Sequence, residues 1–372
     1  MLPADRHIES LRTLLRDLIN IYSPTGKEHE IVGFLFDYLK KEGLPVKMQQ
    51  IGGGRANLLV IPPYTEIEAV LVGHVDTVAA HDLDSFGCRE EDNLVAGLGA
   101  ADMKGGCAAI IEAYIAYWKQ GGLLPPVALA LVCGEEEEGD GTRMLVKEYH
   151  FPWALIAEPS DLSPCFSHYG YVEISISTTG KRMHASLATA GQNPVEAMLR
   201  LLLRMSGYFT RDRPELVYNI RDLCSSRSGF AVPERCDVWL DVHLPPTAPQ
   251  GRIMMEIEEI VTEQRREDAG FSGTLSFTNV HTGYELPHKG ELAEKLKRIY
   301  QEHRLPWEPQ AFRSHSDANL LWAAGIKPII LGPGSLEQAH SPHESVSFEQ
   351  VMLAANIYYD LIDSLGDNTQ RR

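Results

Sequence analysis

The polar and apolar positions of this chain follow two periods. Ile8, Leu11, Leu15, Leu18 and Ile19 recur at helical spacing, so an amphipathic helix is expected near the N-terminus, and a second helical stretch runs from His29 to Glu42. Short apolar runs then read as strands: Ala56 to Ile61, Ala69 to Gly73 and Val127 to Cys133, with a long helical stretch, Gly106 to Lys119, ahead of the last. Strands alternating with helices predict an α/β layer with a mostly parallel sheet flanked by helices. From His168 the texture changes. YVEISISTTGKR alternates like an antiparallel strand with one wet face, and a helix from Asn193 to Tyr208, the run CDVWLDVHL, a helix from Arg252 to Arg266 and the run GTLSFTNV follow. That order outlines a smaller α+β, ferredoxin-like module with helices on one face of its sheet. After about Thr282 the first texture resumes in ELAEKLKRIYQEH, ANLLWAAG and KPIILGPG. The expected organisation is a larger α/β domain in two parts, residues 1–168 and 283–372, interrupted by an inserted domain at 169–282, with a frayed end at Asp367 to Arg372.

Length supports two cores, since 372 residues exceed the roughly 250–300 at which one core stops growing. Fifty-one acidic residues against 34 basic ones give a net charge of −17, which argues against nucleic acid or an anionic membrane surface as partner. No stretch approaches the roughly 20 apolar residues of a membrane span, and the first 23 residues lack the layout of a signal peptide. Six cysteines, without a CxxC pair, lie mostly in apolar segments and read as reduced thiols, which places the protein in the cytoplasm.

Five polar clusters punctuate this pattern. In LVGHVDTV, His74 and Asp76 follow a strand and share a side, so the carboxylate can fix the imidazole, whether the histidine is structural or a metal ligand. In GLGAADMKGG, Asp102 precedes a helix and suits an N-cap, a metal ligand or both. VCGEEEEGDGT sets Glu135 to Glu138 in a row after a strand, ALIAEPSD ends a strand at Glu158, and GPGSLEQAHSPHESV carries His340 and His343. Four strand-like segments thus end near His74, Glu135 or Glu136, Glu158 and His340, and such ends converge in open α/β sheets. Two histidines and three carboxylates form a donor set for a pair of divalent ions about 3.5–4 Å apart.

These motifs, in order GHVDTV, GLGAADMKGG, GEEEEGDGT, AEPSD and GPGSLEQAH, resemble those of the acetylornithine deacetylase and succinyl-diaminopimelate desuccinylase family of zinc hydrolases. That family includes aminoacylases, glutamate carboxypeptidases and tripeptidases. The resemblance implies an amide hydrolase with two divalent ions, zinc first and cobalt or manganese as alternatives. His74 and Glu158 would hold one ion, Glu136 and His340 the other, with Asp102 between them. Asp76 would orient His74. Glu135 would be the general base for a hydroxide bridging the ions. A register one residue on, with Glu136 as base and Glu137 as ligand, stays open because the run is degenerate. TTGKRMHAS resembles the family's GxxGHAS, which implies a homodimer built through an inserted dimerisation or lid domain, with His184 reaching the partner's site. Arg313, Ser316, Asn319 and Gly334 are candidate substrate contacts. The chain departs from the family pattern at Phe230, at His243 of LDVH and in RSHSDAN, so the substrate stays open between a small N-acyl amino acid and a short peptide, with a non-catalytic metal-binding relative as a further reading.

Overall fold

The computed structural model describes residues 6–63, 66–188, 193–227, 229–268 and 270–370, without the side chains of 6–7 and 367–370; the expected fraying at Asp367 to Arg372 therefore lies outside what is described in full. The chain divides into two compact units. One comprises Met1–Phe166, Leu286–Phe312 and Ser316–Arg372; the other Ser167–Glu285 with Arg313–His315.

In the first unit the strands Val127–Val132, Ala69–His74, Trp153–Ile156 and Lys327–Ile330 lie side by side and parallel. Every residue of the first two is buried, as a strand covered on both faces requires, which is why they read as unbroken apolar runs. An antiparallel hairpin, Lys47–Gly52 and Arg55–Val60, extends the sheet beside Val127–Val132. The Gly105–Gly121 helix is buried from Gly105 to Ala116 and packs against the helices Arg6–Asn20 and Phe348–Gln370. It comes close to the sheet because of glycine. A Cβ on Gly106 would lie 2.1 Å from the Ala157 carbonyl oxygen, and one on Gly73 would lie 2.7 Å from Cys107 Sγ.

The second unit is a four-stranded antiparallel sheet in the order Val217–Ser225, Arg235–Leu244, Gly170–Thr179, Gly273–His281. Val172, Ile174, Ile176, Val238, Leu240 and Val242 point from one face into a core shared with Met198 and Leu201 of the Pro194–Gly207 helix and Ile253 and Ile257 of the Gln250–Glu267 helix. The chain order is strand, helix, strand, strand, helix, strand. The sequence pattern misses the Val217–Ser225 strand. It is an edge strand exposed along nearly all its length, so no burial imposes alternation on VYNIRDLCS. Among the described residues no helix is long and apolar enough to cross a membrane.

Candidate active site

The four parallel strands deliver five polar groups at or beyond their carboxyl ends. His74 ends Ala69–His74, Glu135 and Glu136 follow Val127–Val132, Glu158 follows Trp153–Ile156, and His340 lies beyond Lys327–Ile330. Asp102 comes from the turn ahead of the Gly105–Gly121 helix. Its backbone there is extended, and the helix takes Lys104 as its N-cap without any side-chain bond, so the capping reading of Asp102 is corrected. The carboxylate is spent elsewhere. His74 Nε2 lies 3.1 Å from Asp102 Oδ1, and His340 Nε2 lies 3.5 Å from Oδ2, so one carboxylate stands between two imidazoles. Glu136 Oε2 is 2.9 Å from His340 Nε2, while Glu158 and Glu135 approach His74 Nε2 at 3.7 and 3.9 Å. Ligand atoms of His74, Asp102 and Glu136, and of His74, Glu135 and Glu158, lie within 4.8 Å of one another in each group.

The run of four glutamates divides here. Glu135 is buried and the Glu136 side chain is only 6% exposed, whereas Glu137 and Glu138 face solvent. The turn that separates them depends on Gly134, whose φ of 82° is left-handed and whose Cβ would lie 1.9 Å from Asp140 Oδ1. Asp140 is itself held by Arg55, which also pairs with the buried Glu28.

Asp76 acts differently from the expectation. The His74 ring is fixed by the Asp76 backbone carbonyl, to which Nδ1 donates at 3.0 Å, while the Asp76 carboxylate stands 3.8 Å away. That bond assigns the proton to Nδ1 and leaves Nε2 as the free donor atom. The carboxylate instead accepts N–H groups from Gly134 at 2.8 Å, Glu135 at 3.2 Å and Glu136 at 3.1 Å, and the Thr25 hydroxyl at 2.8 Å. It organises the glutamate turn.

Burial and mutual repulsion of carboxylates dominate the electrostatics of the site. Burial, followed by the charge of Glu158 and Glu136, pushes Glu135 well above the usual carboxylate range, and burial followed by Asp102 does the same to Glu158. The bond to Glu136 lifts His340 to about 9 against the effect of burial. Glu158 Oε1 is buried without a hydrogen-bond partner among the described residues. Buried carboxylates in such number are costly unless cations compensate them, and an unpartnered oxygen 3.7 Å from the His74 imidazole is the donor atom such a cation uses. The residues fit a pair of divalent ions.

The sequence matches peptidase family M20/M25/M40 over residues 70–364. The chain belongs to this family. It is 27% identical over 353 residues to an acetylornithine deacetylase of Edwardsiella ictaluri, covering 89% of this chain and 90% of the relative. It is 28% identical over 345 residues to one of Vibrio parahaemolyticus, covering 86% and 87%. In fold it is similar to a tripeptidase from Staphylococcus aureus, with a TM-score of 0.81 at 19% identity over 97% of this chain and 99% of that one. The Bacillus subtilis YXEP protein, described as a dinuclear metal binding peptidase from the M20 family, gives 0.70 at 12% identity over 97% and 99%. This M20 chain is a metal-dependent amide hydrolase.

The other expected site residues take the following places. His184 is exposed in the second unit, its Nδ1 2.7 Å from Ser186 Oγ, and Arg313 is exposed as well. Ser316 and Asn319 are buried, and their side chains close a capping box on the Asp317–Ala323 helix; the expectation that they face substrate is corrected, because their oxygens accept helix N–H groups. Gly334 has a left-handed φ of 87° and packs where a Cβ would stand 3.1 Å from that of Ala101, a backbone requirement. Two buried acids escaped the sequence reading. Asp317 is 2% exposed with Oδ1 unpartnered among the described residues, and its charge bears on Glu135 and Glu158. Glu344 holds the Asp102 turn from beneath. The available signals were an aspartate inside RSHSDAN and a glutamate four residues after His340.

Proposed function

We propose that this M20 chain hydrolyses the amide of a small N-acyl amino acid, in the manner of a deacetylase or desuccinylase, with Glu135 as general base. The observation that carries this reading is the convergence of His74, Asp102, Glu135, Glu136, Glu158 and His340 at the carboxyl edge of the sheet, with Asp102 shared between two imidazoles. His74 and Glu158 would hold one divalent ion, Glu136 and His340 the other, and Asp102 both; zinc is the first choice for this donor set, cobalt or manganese the alternatives. Bound there, the ions supply Lewis-acid polarisation of a carbonyl and a lowered pKa for water. Glu135 takes the proton from the attacking water and returns it to the departing nitrogen. Its burial beside Glu158 and Glu136 raises its proton affinity, which suits a group that accepts a proton from water.

The same residues could cut a short peptide, and the similarity to acetylornithine deacetylases supports the order of preference. The inserted unit is proposed to form a homodimer and to present His184 to the partner's site; the exposed edge strand Val217–Ser225 supports this. A cytoplasmic setting fits six unpaired cysteines.

The test is a panel of N-acetylornithine, N-succinyl-diaminopimelate and di- and tripeptides on zinc-, cobalt- and manganese-loaded protein. We expect turnover of an N-acyl amino acid, and Glu135→Gln to retain two ions while losing about 10²–10⁴-fold in kcat. Turnover confined to peptides would replace the substrate assignment. A Glu135→Gln protein that binds one ion fewer would make Glu135 a ligand.

A further inference from the structure

We infer that Glu344 is a positioning residue that locks the Asp102 and His340 segments together, and so sets the affinity of the ion those two residues share. The inference rests on the two-ion reading of the site. The Glu344 side chain is 4% exposed, and among the described residues no cationic side chain hydrogen-bonds to it. Its oxygens collect backbone donors instead: Oε2 accepts the Gly99 N–H at 2.8 Å, and Oε1 accepts those of Ala101 and Asp102, each at 2.9 Å. Glu344 thus grips the peptide group of Asp102 itself.

The rest of its segment is stitched to the same turn. The Glu344 carbonyl accepts the Gly97 N–H at 3.0 Å, and Ser345 pairs with Ala96 in an antiparallel ladder that continues through Val346 and Val95. At its other end, four residues upstream, stands His340, with a left-handed φ of 58°, uncommon for a residue other than glycine. The two ligands of one proposed ion, Asp102 and His340, therefore come from chain segments 238 positions apart that meet through Glu344. His74 and Glu158, by contrast, are held by neighbouring parallel strands that do not involve Glu344. Loosening Glu344 should act on one ion more than on the other.

Exchange of an acceptor for a donor at Oε2, in Glu344→Gln, sets an NH₂ against the Gly99 N–H, and Glu344→Asp withdraws the carboxylate by one methylene. Supporting groups around a metal ligand typically govern about 10–100-fold in affinity. Zinc titration calorimetry and the absorption of the cobalt-loaded protein, on wild type, Glu344→Gln, Glu344→Asp and the exposed-loop control Glu337→Gln, test this. We expect wild type and Glu337→Gln to take up two ions. The Glu344 variants should bind the ion proposed for Glu136 and His340 about 10–100-fold more weakly and the other ion, which depends on that turn only through Asp102, with a smaller loss, Glu344→Asp being milder. Two ions bound as in wild type by both Glu344 variants would overturn the clamp, and so would equal weakening of both ions, the mark of general destabilisation. A wild-type protein that takes up fewer than two ions would overturn the two-ion reading, and the clamp with it.

Discussion

Two buried carboxylates, Asp76 and Glu344, share a device: each gathers three backbone N–H groups from a turn that carries site residues. A carboxyl group that accepts several backbone N–H groups ties them to one rigid side chain, and at Glu344 those bonds oppose the burial that lifts its pKa to about 7. His168 illustrates the opposite economy, a histidine kept neutral. It is fully buried, donates from Nδ1 to the Tyr169 carbonyl, stacks on Tyr284 and faces the imidazoles of His315, His243 and His281. Burial, with those imidazoles, pushes it down to about 3 although the carbonyl bond opposes this. The unfolded chain takes up this proton below about 6.5 and the folded chain only near 3, so the stability contribution is complete above pH 6.5 and declines as pH falls through that window. With chelator present throughout, urea unfolding of the wild type should lose stability between pH 6.5 and 4. His168→Asn should show a slope shallower by up to about 1.4 kcal/mol per pH unit. Parallel slopes would count against a neutral buried His168.

At the scale of elements, the Gly105–Gly121 helix shows how a polar site is set by apolar packing. Its first turn abuts the residue just before Glu158, and only a glycine at 106 permits that approach. Gly106→Ala should therefore cost about 1–3 kcal/mol in urea unfolding and weaken uptake of the ion proposed for Glu158. Gly121→Ala, at the far end of the same helix and with nothing within 4 Å of the new methyl, should be neutral or slightly stabilising. Equal effects of the two would refute the close-approach argument. Most elements were legible because burial writes a period into sequence: the helix from 105 and the strands at 69 and 127 fall within a residue or two of their expected ends. The edge strand at 217 was not, because solvent on both sides leaves side-chain choice free.

At the scale of the whole molecule, the edge strand Val217–Ser225 and the exposed Leu199 and Leu203 of the Pro194–Gly207 helix in the same unit are the features that a second copy would cover. Light scattering at micromolar concentration should report a dimer, and Leu203→Glu combined with Leu223→Glu should shift it to monomer. Activity should reappear when Glu135→Gln and His184→Ala chains, each nearly inactive alone, are co-expressed and form mixed dimers. Such a dimer holds one site with Glu135 from one chain and His184 from the other. A monomeric wild type, or no recovery on mixing, would remove the trans role of His184.

The sequence by itself determined the α/β class, the inserted α+β module and the residue types that gather at the strand ends, because hydrophobic period and motif order are local properties of the chain. Tertiary structure alone decided which of four consecutive glutamates turn inward, since that depends on the left-handed Gly134 and on an aspartate 60 positions before Glu136. It also decided the work of Asp76, Ser316, Asn319 and Glu344. A hydrogen bond has one donor and one acceptor, and for these residues the partner is fixed by where the backbone passes in space.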